Sequence, residues 1–300
     1  MATPKPGIHE GIEPEEYYSW DAVSNSRLSL LKRSPAHYKH GFTEQTDAMR
    51  LGTLVHTGVL EPLAIAQRYV FMPNYANHPD NVTGTGARSF ASTTTFVKKM
   101  EEQFRQLHFD KQIITKSEYD LMIGMANALA ACEPAKQLLR DGKSELSLVW
   151  EDSCGLLCKC RIDWIKPGIF ADLKTCGDAS KFEKSIADYG YHRQMAFYQR
   201  GLQAVGIDDV HPWMIAVDKT APFGVRCAPM AEKALETGRR EIDELLTLLV
   251  DCQRSNSWPG YESPEAWELP AWYGPSDATD VHEQKAALSS WFAEATGGVS

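Results

Sequence analysis

Asp163, Asp172 and Lys174 lie close together in the middle of a 300-residue chain, as an acid, a second acid nine positions on and a lysine two beyond that. Two carboxylates a few ångströms apart cannot both stay ionised cheaply unless a cation sits between them. Hard oxygen ligands select magnesium or manganese. Such an ion polarises a phosphoryl oxygen and lowers the pKa of a bound water. A lysine beside it can orient that water or neutralise charge developing on the phosphate. A bare match to this spacing also arises by chance in an ordinary hairpin with surface charges, so the elements that carry it decide its weight.

Those elements read as a β-hairpin. Short apolar segments at 156–164 and 169–174 flank a Pro167-Gly168 turn, and residues two apart on a strand share a face. Lys159, Arg161 and Asp163 then share one face of the first strand, with Leu156, Cys158, Cys160, Ile162 and Trp164 on the other. On the second strand Phe170, Asp172 and Lys174 share a face, and the two polar faces are expected to coincide. Beyond the hairpin, Gly190 to Tyr198 reads as a helix with Gln194 and Tyr198 one turn apart on one face, an amide and a phenol able to hold a phosphate or an exposed base. Arg161 and Arg193 are the basic residues that spacing puts beside the proposed site. Upstream, Gly52 to Pro62 places His56 on an otherwise apolar helix, where it is either a satisfied core residue or a neutral imidazole completing a carboxylate metal site. Glu145, on a strand opposite the hairpin, is a further acidic candidate.

The set His56, Asp163, Asp172-x-Lys174 and Gln194-x-x-x-Tyr198 resembles the nuclease domain of RecE (exonuclease VIII) and its phage relatives, within the PD-(D/E)XK superfamily of the RecB nuclease domain and lambda exonuclease. Ser24-Asn-Ser-Arg-Leu28 with Ser34-Pro-Ala-His-Tyr38 is similar to the entry helix of such domains. Trp258-Pro-Gly-Tyr261 with Leu269-Pro-Ala-Trp272 is similar to their closing segment. The resemblance implies that His56, Asp163, Asp172 and the main-chain carbonyl of Leu173 ligate the metal and that Lys174 is catalytic. It implies substrate or active-site support from Gln194 and Tyr198. The superfamily's Pro-Asp is absent here, since Ile162 precedes Asp163.

The pattern of elements fits an α/β fold, a central mixed sheet flanked by helices with a restriction-endonuclease-like core. Helices are expected at about 26–40, 47–60, 90–108, 116–140, 179–188, 190–204 and 230–254, and further strands near 145–151, 211–218 and 223–228. Residues 73–89 carry the strongest loop signal, and either border a DNA path or form a disordered segment or plain connection. Residues 1–20 read as an N-terminal extension, 21–275 as the exonuclease domain and 276–300 as a tail. No apolar run approaches the roughly 20 residues that span a bilayer, and the N-terminus lacks a signal peptide's apolar core, which points to the cytoplasm. Seven cysteines without a secreted framework suggest reduced thiols. Cys158 and Cys160 fall on an apolar strand face rather than in cluster or zinc spacing.

A net charge of −9 argues against indiscriminate binding to a polyanion, but a groove can still be locally basic, with Arg27, Lys32, Arg33, Arg88, Lys98, Lys99, Arg105, Lys181, Lys184 and Arg200 as candidates. The leading expectation is a Mg2+-dependent exonuclease, with Mn2+ as a substitute, acting 5′-to-3′ on double-stranded DNA ends and leaving 3′ single-stranded tails for recombination. From the resemblance follow a ring-shaped homo-oligomer and a RecT-like single-strand annealing partner. Two alternatives stay open: a DNA-binding or assembly protein on the same fold, and a RecB-like nuclease for single-stranded or branched DNA.

Overall fold

The computed structural model describes residues 3–41, 46–263 and 266–267, with one compact unit running to Gly260. Among the described residues there are eight strands: β1 (Gly7–His9), β2 (Tyr69–Phe71), β3 (Gln112–Ile114), β4 (Lys143–Glu151), β5 (Leu157–Lys166), β6 (Ile169–Cys176), β7 (His211–Asp218) and β8 (Val225–Pro229). The helices are α1 (Pro14–Ser19), α2 (Asn25–Arg33), α3 (Pro35–His40), α4 (Asp47–Leu60), α5 (Ile65–Arg68), α6 (Thr95–Leu107), α7 (Lys116–Ala131), α8 (Glu133–Leu138), α9 (Phe182–Asp188), α10 (Tyr191–Ala204) and α11 (Glu232–Ser255). Six strands form one mixed sheet in the order β1-β4-β5-β6-β7-β8. Its pairs are antiparallel except β6 with β7, which α9 and α10 connect. A parallel crossover of this kind needs a helix on the sheet face. β2 and β3 make a separate two-stranded parallel sheet.

Alternation along the strands builds two cores. Phe170, Met214 and Ala216 pack with Leu28 and Leu31 of α2, Met195 and Phe197 of α10, and Ile242 and Leu249 of α11. Their neighbours Ala171, Leu173, Ile215 and Val217 pack on the opposite side with Leu54 and Val55 of α4 and Met122, Met125 and Leu129 of α7. α4 and α7 approach closely because residue 58 is glycine: a Cβ there would stand 2.3 Å from the Met122 sulfur. An Arg50–Glu118 ion pair of 2.5 Å ties the same two helices near their starts. α7 begins on a reciprocal Thr115–Glu118 cap, which satisfies two otherwise orphaned donors.

The mixed sheet flanked by helices is the expected architecture, with four local differences. The helix expected at 26–40 is two, because Ser34 adopts extended backbone, caps α3 and is followed by Pro35, whose ring cannot continue α2. The helix expected at 116–140 likewise breaks at Cys132, ahead of Pro134. Residues 7–20, read as an extension, lie on the sheet: β1 pairs with β4, and Tyr17 and Trp20 pack on Val149. Lys159, expected on the polar face that Arg161 and Asp163 share, is buried and donates to the carbonyls of Tyr17 and Trp20 at the end of α1, both at 2.8 Å. The 73–89 loop is fastened by fully buried Asn81, whose side chain donates to Ala76 and Ala91 and accepts from Thr94. Leu269-Pro-Ala-Trp272 and the boundary at 275 lie outside the described residues. Among the described residues, no helix is long and apolar enough to cross a membrane.

Candidate active site

The hairpin carries the site because its two strands part company. β5 and β6 pair only through Trp164↔Ala171, Ile165↔Phe170 and Lys166↔Ile169, after which β5 stays with β4 and β6 with β7. At the fork the Asp163 carboxylate takes the place of the next rung, accepting from the Leu173 N–H at 2.8 Å. The alternation of β5 slips at the same residue: Cys158, Cys160 and Ile162 face the α10 core, while Trp164 joins the α4 core and Ile165 the first. The polar faces of the two strands therefore do not coincide. Asp163 meets His56 from α4, with Nδ1 3.5 Å from Oδ2, whereas Asp172 lies on the Phe170 side and meets Gln194 from α10. The two carboxylates approach from opposite sides of the fork, each close enough that Asp172 opposes the ionisation of Asp163.

Glu145 on β4 is the third acidic group. It sits opposite Asp163, between the ladder pairs Ser144↔Trp164 and Leu146↔Ile162, and is itself missing from the ladder. Its φ of 54° is a left-handed value uncommon for a non-glycine residue and strained within a strand. The carboxylate is held by Arg161 Nε at 2.6 Å. One ligand atom from each of His56, Glu145 and Asp163 lies within 4.8 Å of the others. A single ion with bonds of about 2.0–2.5 Å has its ligands no more than about 5 Å apart, so this set fits one divalent cation. A cleft of about 530 Å³ opens beside it, lined in part by Leu60, Glu61, Arg68, Arg161 and Trp164.

The electrostatics agree with that fit. Burial, then the neighbouring Asp163, pushes the Glu145 carboxyl up to about 7. Burial and Asp172 likewise raise Asp163 far above the carboxylate range. Burial and the charge of Lys174 lower the His56 ring, keeping it neutral and able to ligate, and the Leu173 main chain hydrogen-bonds to it. The donors are thus ready for a positive charge, which Arg161 and Lys174 supply in part.

Asp172 and Lys174 form a second unit. Asp172, 1% exposed, has Oδ2 2.5 Å from Lys174 Nζ and Oδ1 accepting from Gln194 Nε2 at 2.5 Å. The same amide donates to the Tyr198 hydroxyl at 3.1 Å, so both its N–H bonds are used. Burial alone depresses the Lys174 ammonium, but Asp172 and Asp163 outweigh it and raise the pKa overall.

The structure thus assembles His56, Asp163, Asp172, Leu173, Lys174, Gln194, Tyr198 and Arg161 around one fork. Arg193 is not among them. It is buried under α2 and α11, bonded to Asn25, Ser29 and Glu241. Several of the basic-groove candidates are also engaged: Lys32 with Glu241, Arg105 with Glu101, Lys181 with Asp178, and Arg200 with Asp152 and Asp243.

A family described as a PDDEXK-like domain of unknown function (DUF3799) matches residues 24–268. Among solved structures, a Eubacterium rectale protein named as a candidate exonuclease is similar with a TM-score of 0.52 and 14% identity, covering 91% of this chain and 98% of that one. The crystal structure of SSO0001 has a TM-score of 0.27 and 13% identity, over 65% of this chain and 85% of that one. No match was found among curated proteins.

Proposed function

The chain belongs to the PDDEXK-like family DUF3799, and on that premise we propose that it is a nuclease of PD-(D/E)XK type, an exodeoxyribonuclease that degrades linear double-stranded DNA from 5′ ends, leaving 3′ single-stranded tails for recombination. The observation that carries the catalytic reading is the convergence of His56, Glu145 and Asp163 within 4.8 Å beside the Asp172–Lys174 pair.

In this reading His56, Glu145 and Asp163 hold a divalent cation, Mg2+ with Mn2+ as a substitute, and Asp172 and the Leu173 carbonyl complete the set. When bound, the ion supplies Lewis acidity toward the phosphate and a water of lowered pKa. Lys174 is kept protonated by its two carboxylate neighbours, so its part is to neutralise charge building on the phosphoryl oxygens rather than to remove a proton. Gln194 fixes Asp172, Tyr198 fixes Gln194, and Arg161 holds Glu145 in its strained position. Water would bond to phosphorus as the bond to the 3′ oxygen breaks, its protons divided between solvent and the leaving oxygen, to give a 3′-hydroxyl and a 5′-phosphate. The 5′ polarity, the RecE-like phage-type role, a ring-shaped homo-oligomer and a RecT-like annealing partner come from the resemblance of the motif set.

The test is digestion of linear duplexes labelled at the 5′ or the 3′ end, with closed circles alongside, in Mg2+, Mn2+ or EDTA. Metal-dependent release of the 5′ label with circles intact, lost in Asp172→Ala and Lys174→Ala, is the expected result. Cut circles overturn the exonuclease reading in favour of an endonuclease. Binding without cleavage in either metal overturns catalysis.

A further inference from the structure

We propose that Tyr189 is a stacking platform for a nucleobase of the DNA strand whose phosphate lies at Lys174. The proposal rests on the nuclease reading and deepens it. Lys174 Nζ stands 5.2 Å from the centroid of the Tyr191 ring. Tyr191 also neighbours Phe182, stacked at 5.7 Å, and Tyr189, tilted at 35° with centroids 5.7 Å apart. Phe182 is 6% exposed and Tyr189 is 66% exposed, so these linked rings join the buried core to solvent.

A single exposed aromatic is ordinary on a protein surface. Two features set this one apart. The first is reach: Tyr189 lies at most about 11 Å from the Lys174 ammonium along the ring path, about three nucleotide rises of 3.4 Å each. The second is stiffness. Tyr189 ends α9 with its N–H on the Ser185 carbonyl, and Gly190 follows with φ of 67°, a conformation that suits glycine. A Cβ at Gly190 would stand 2.9 Å from the Arg193 guanidinium, itself buried and tied to three partners. The turn that presents Tyr189 is therefore built on a fixed base, and a ring that is already oriented loses little entropy on stacking. Stacking on an aromatic face tolerates any base, which suits a nuclease that must move through sequence. This also accounts for Arg193: it positions the turn rather than touching DNA.

The experiment compares wild type with Tyr189→Ala, Tyr189→Phe and Tyr189→Trp on linear duplexes with normal, 2-aminopurine or abasic nucleotides near the end. Cleavage supplies kcat and KM. Quenching of 2-aminopurine is read separately on the Lys174→Ala chain with and without the Tyr189 change. Loss of one base stack raises KM about tenfold with kcat nearly unchanged in Tyr189→Ala. Phe and Trp restore KM, and abasic DNA imposes the same penalty on wild type but none further on Tyr189→Ala. An unchanged KM in Tyr189→Ala, or an equal loss on normal and abasic DNA, overturns the proposal. If no form cleaves DNA but quenching still depends on Tyr189, the stacking role stands and the cleavage reading falls.

Discussion

Glu145 gives the sharpest test of the site, because its neutral mimic should stabilise the metal-free protein only at higher pH. Its carboxyl rises from 4.5 to about 7 through burial and then Asp163, with Arg161 pulling the other way, and its side chain is only 17% exposed. At 1.36 kcal/mol per pH unit, holding it ionised in the folded state costs about 3 kcal/mol. The sign follows from proton counting. A carboxyl whose pKa is higher folded than unfolded binds more protons in the folded state between pH 4.5 and about 7, so stability falls as pH rises through that window and levels off above it. Glu145→Gln cannot titrate. The pull of Arg161 on the ionised carboxylate is already contained in the value of about 7.

The readable quantity is therefore the change in the gap between variant and wild type. Urea unfolding of EDTA-stripped protein at pH 4.5 and pH 8 should show the gap opening by about 3 kcal/mol in favour of Glu145→Gln, or about 6–12 °C in Tm for a chain of this size. Metal then closes most of that gap. A cation at 100 times its Kd stabilises wild type by about 2.7 kcal/mol, and the variant by far less. A gap that stays constant with pH refutes the electrostatic account of Glu145, and equal metal stabilisation of both forms removes Glu145 from the ligand set.

Lys174→Ala should lower kcat by about 10²–10³ with the fold intact, the loss typical of one preorganised charge, and a loss below tenfold in single-turnover cleavage contradicts its catalytic role. Gln194→Ala leaves buried Asp172 without its amide donor. It should cost about 1–3 kcal/mol of stability and about 10–100-fold in kcat or metal affinity, and unchanged calorimetric metal binding and turnover would show that Asp172 needs no such support. Arg193→Ala breaks a buried ion pair with Glu241 and should cost about 3 kcal/mol in chemical denaturation while metal affinity stays the same. Full stability with lost metal binding would instead return Arg193 to the active site.

What was legible in the chain followed from local rules. Asp172 and Lys174 are two apart on one strand and Gln194 and Tyr198 four apart on one helix, so their shared faces needed no tertiary information. Arg193 shows the limit of that reading: one residue from Gln194 along the chain is about 100° around a helix, which turns it from the Asp163–Asp172 fork toward α2 and α11. The meeting of Asp163 with Asp172 was expected for the wrong reason. Strict alternation put both on one face, whereas the strands fork after three ladder pairs and the carboxylates converge from opposite faces. A fork depends on which neighbours each strand finds, β4 for one and β7 for the other, and nothing within the hairpin encodes that choice. Glu145 was half legible, placed opposite the hairpin by strand order but committed to the site by a left-handed backbone no residue pattern announces. β1 to β3 were missed because three residues are too few to alternate, and they pair across 43 to 142 positions of chain, as Tyr69↔Gln112 and Gly7↔Val149 show. The same long-range pairing lodges Lys159 under α1, a burial that strand alternation alone does not announce. Side chains bound by local periodicity could be assigned before the fold was known. Those bound by the fork and the sheet edge could not, and the proposed site straddles that division: Asp172 belongs to the first group, while Glu145 and the partnership of His56 with Asp163 belong to the second.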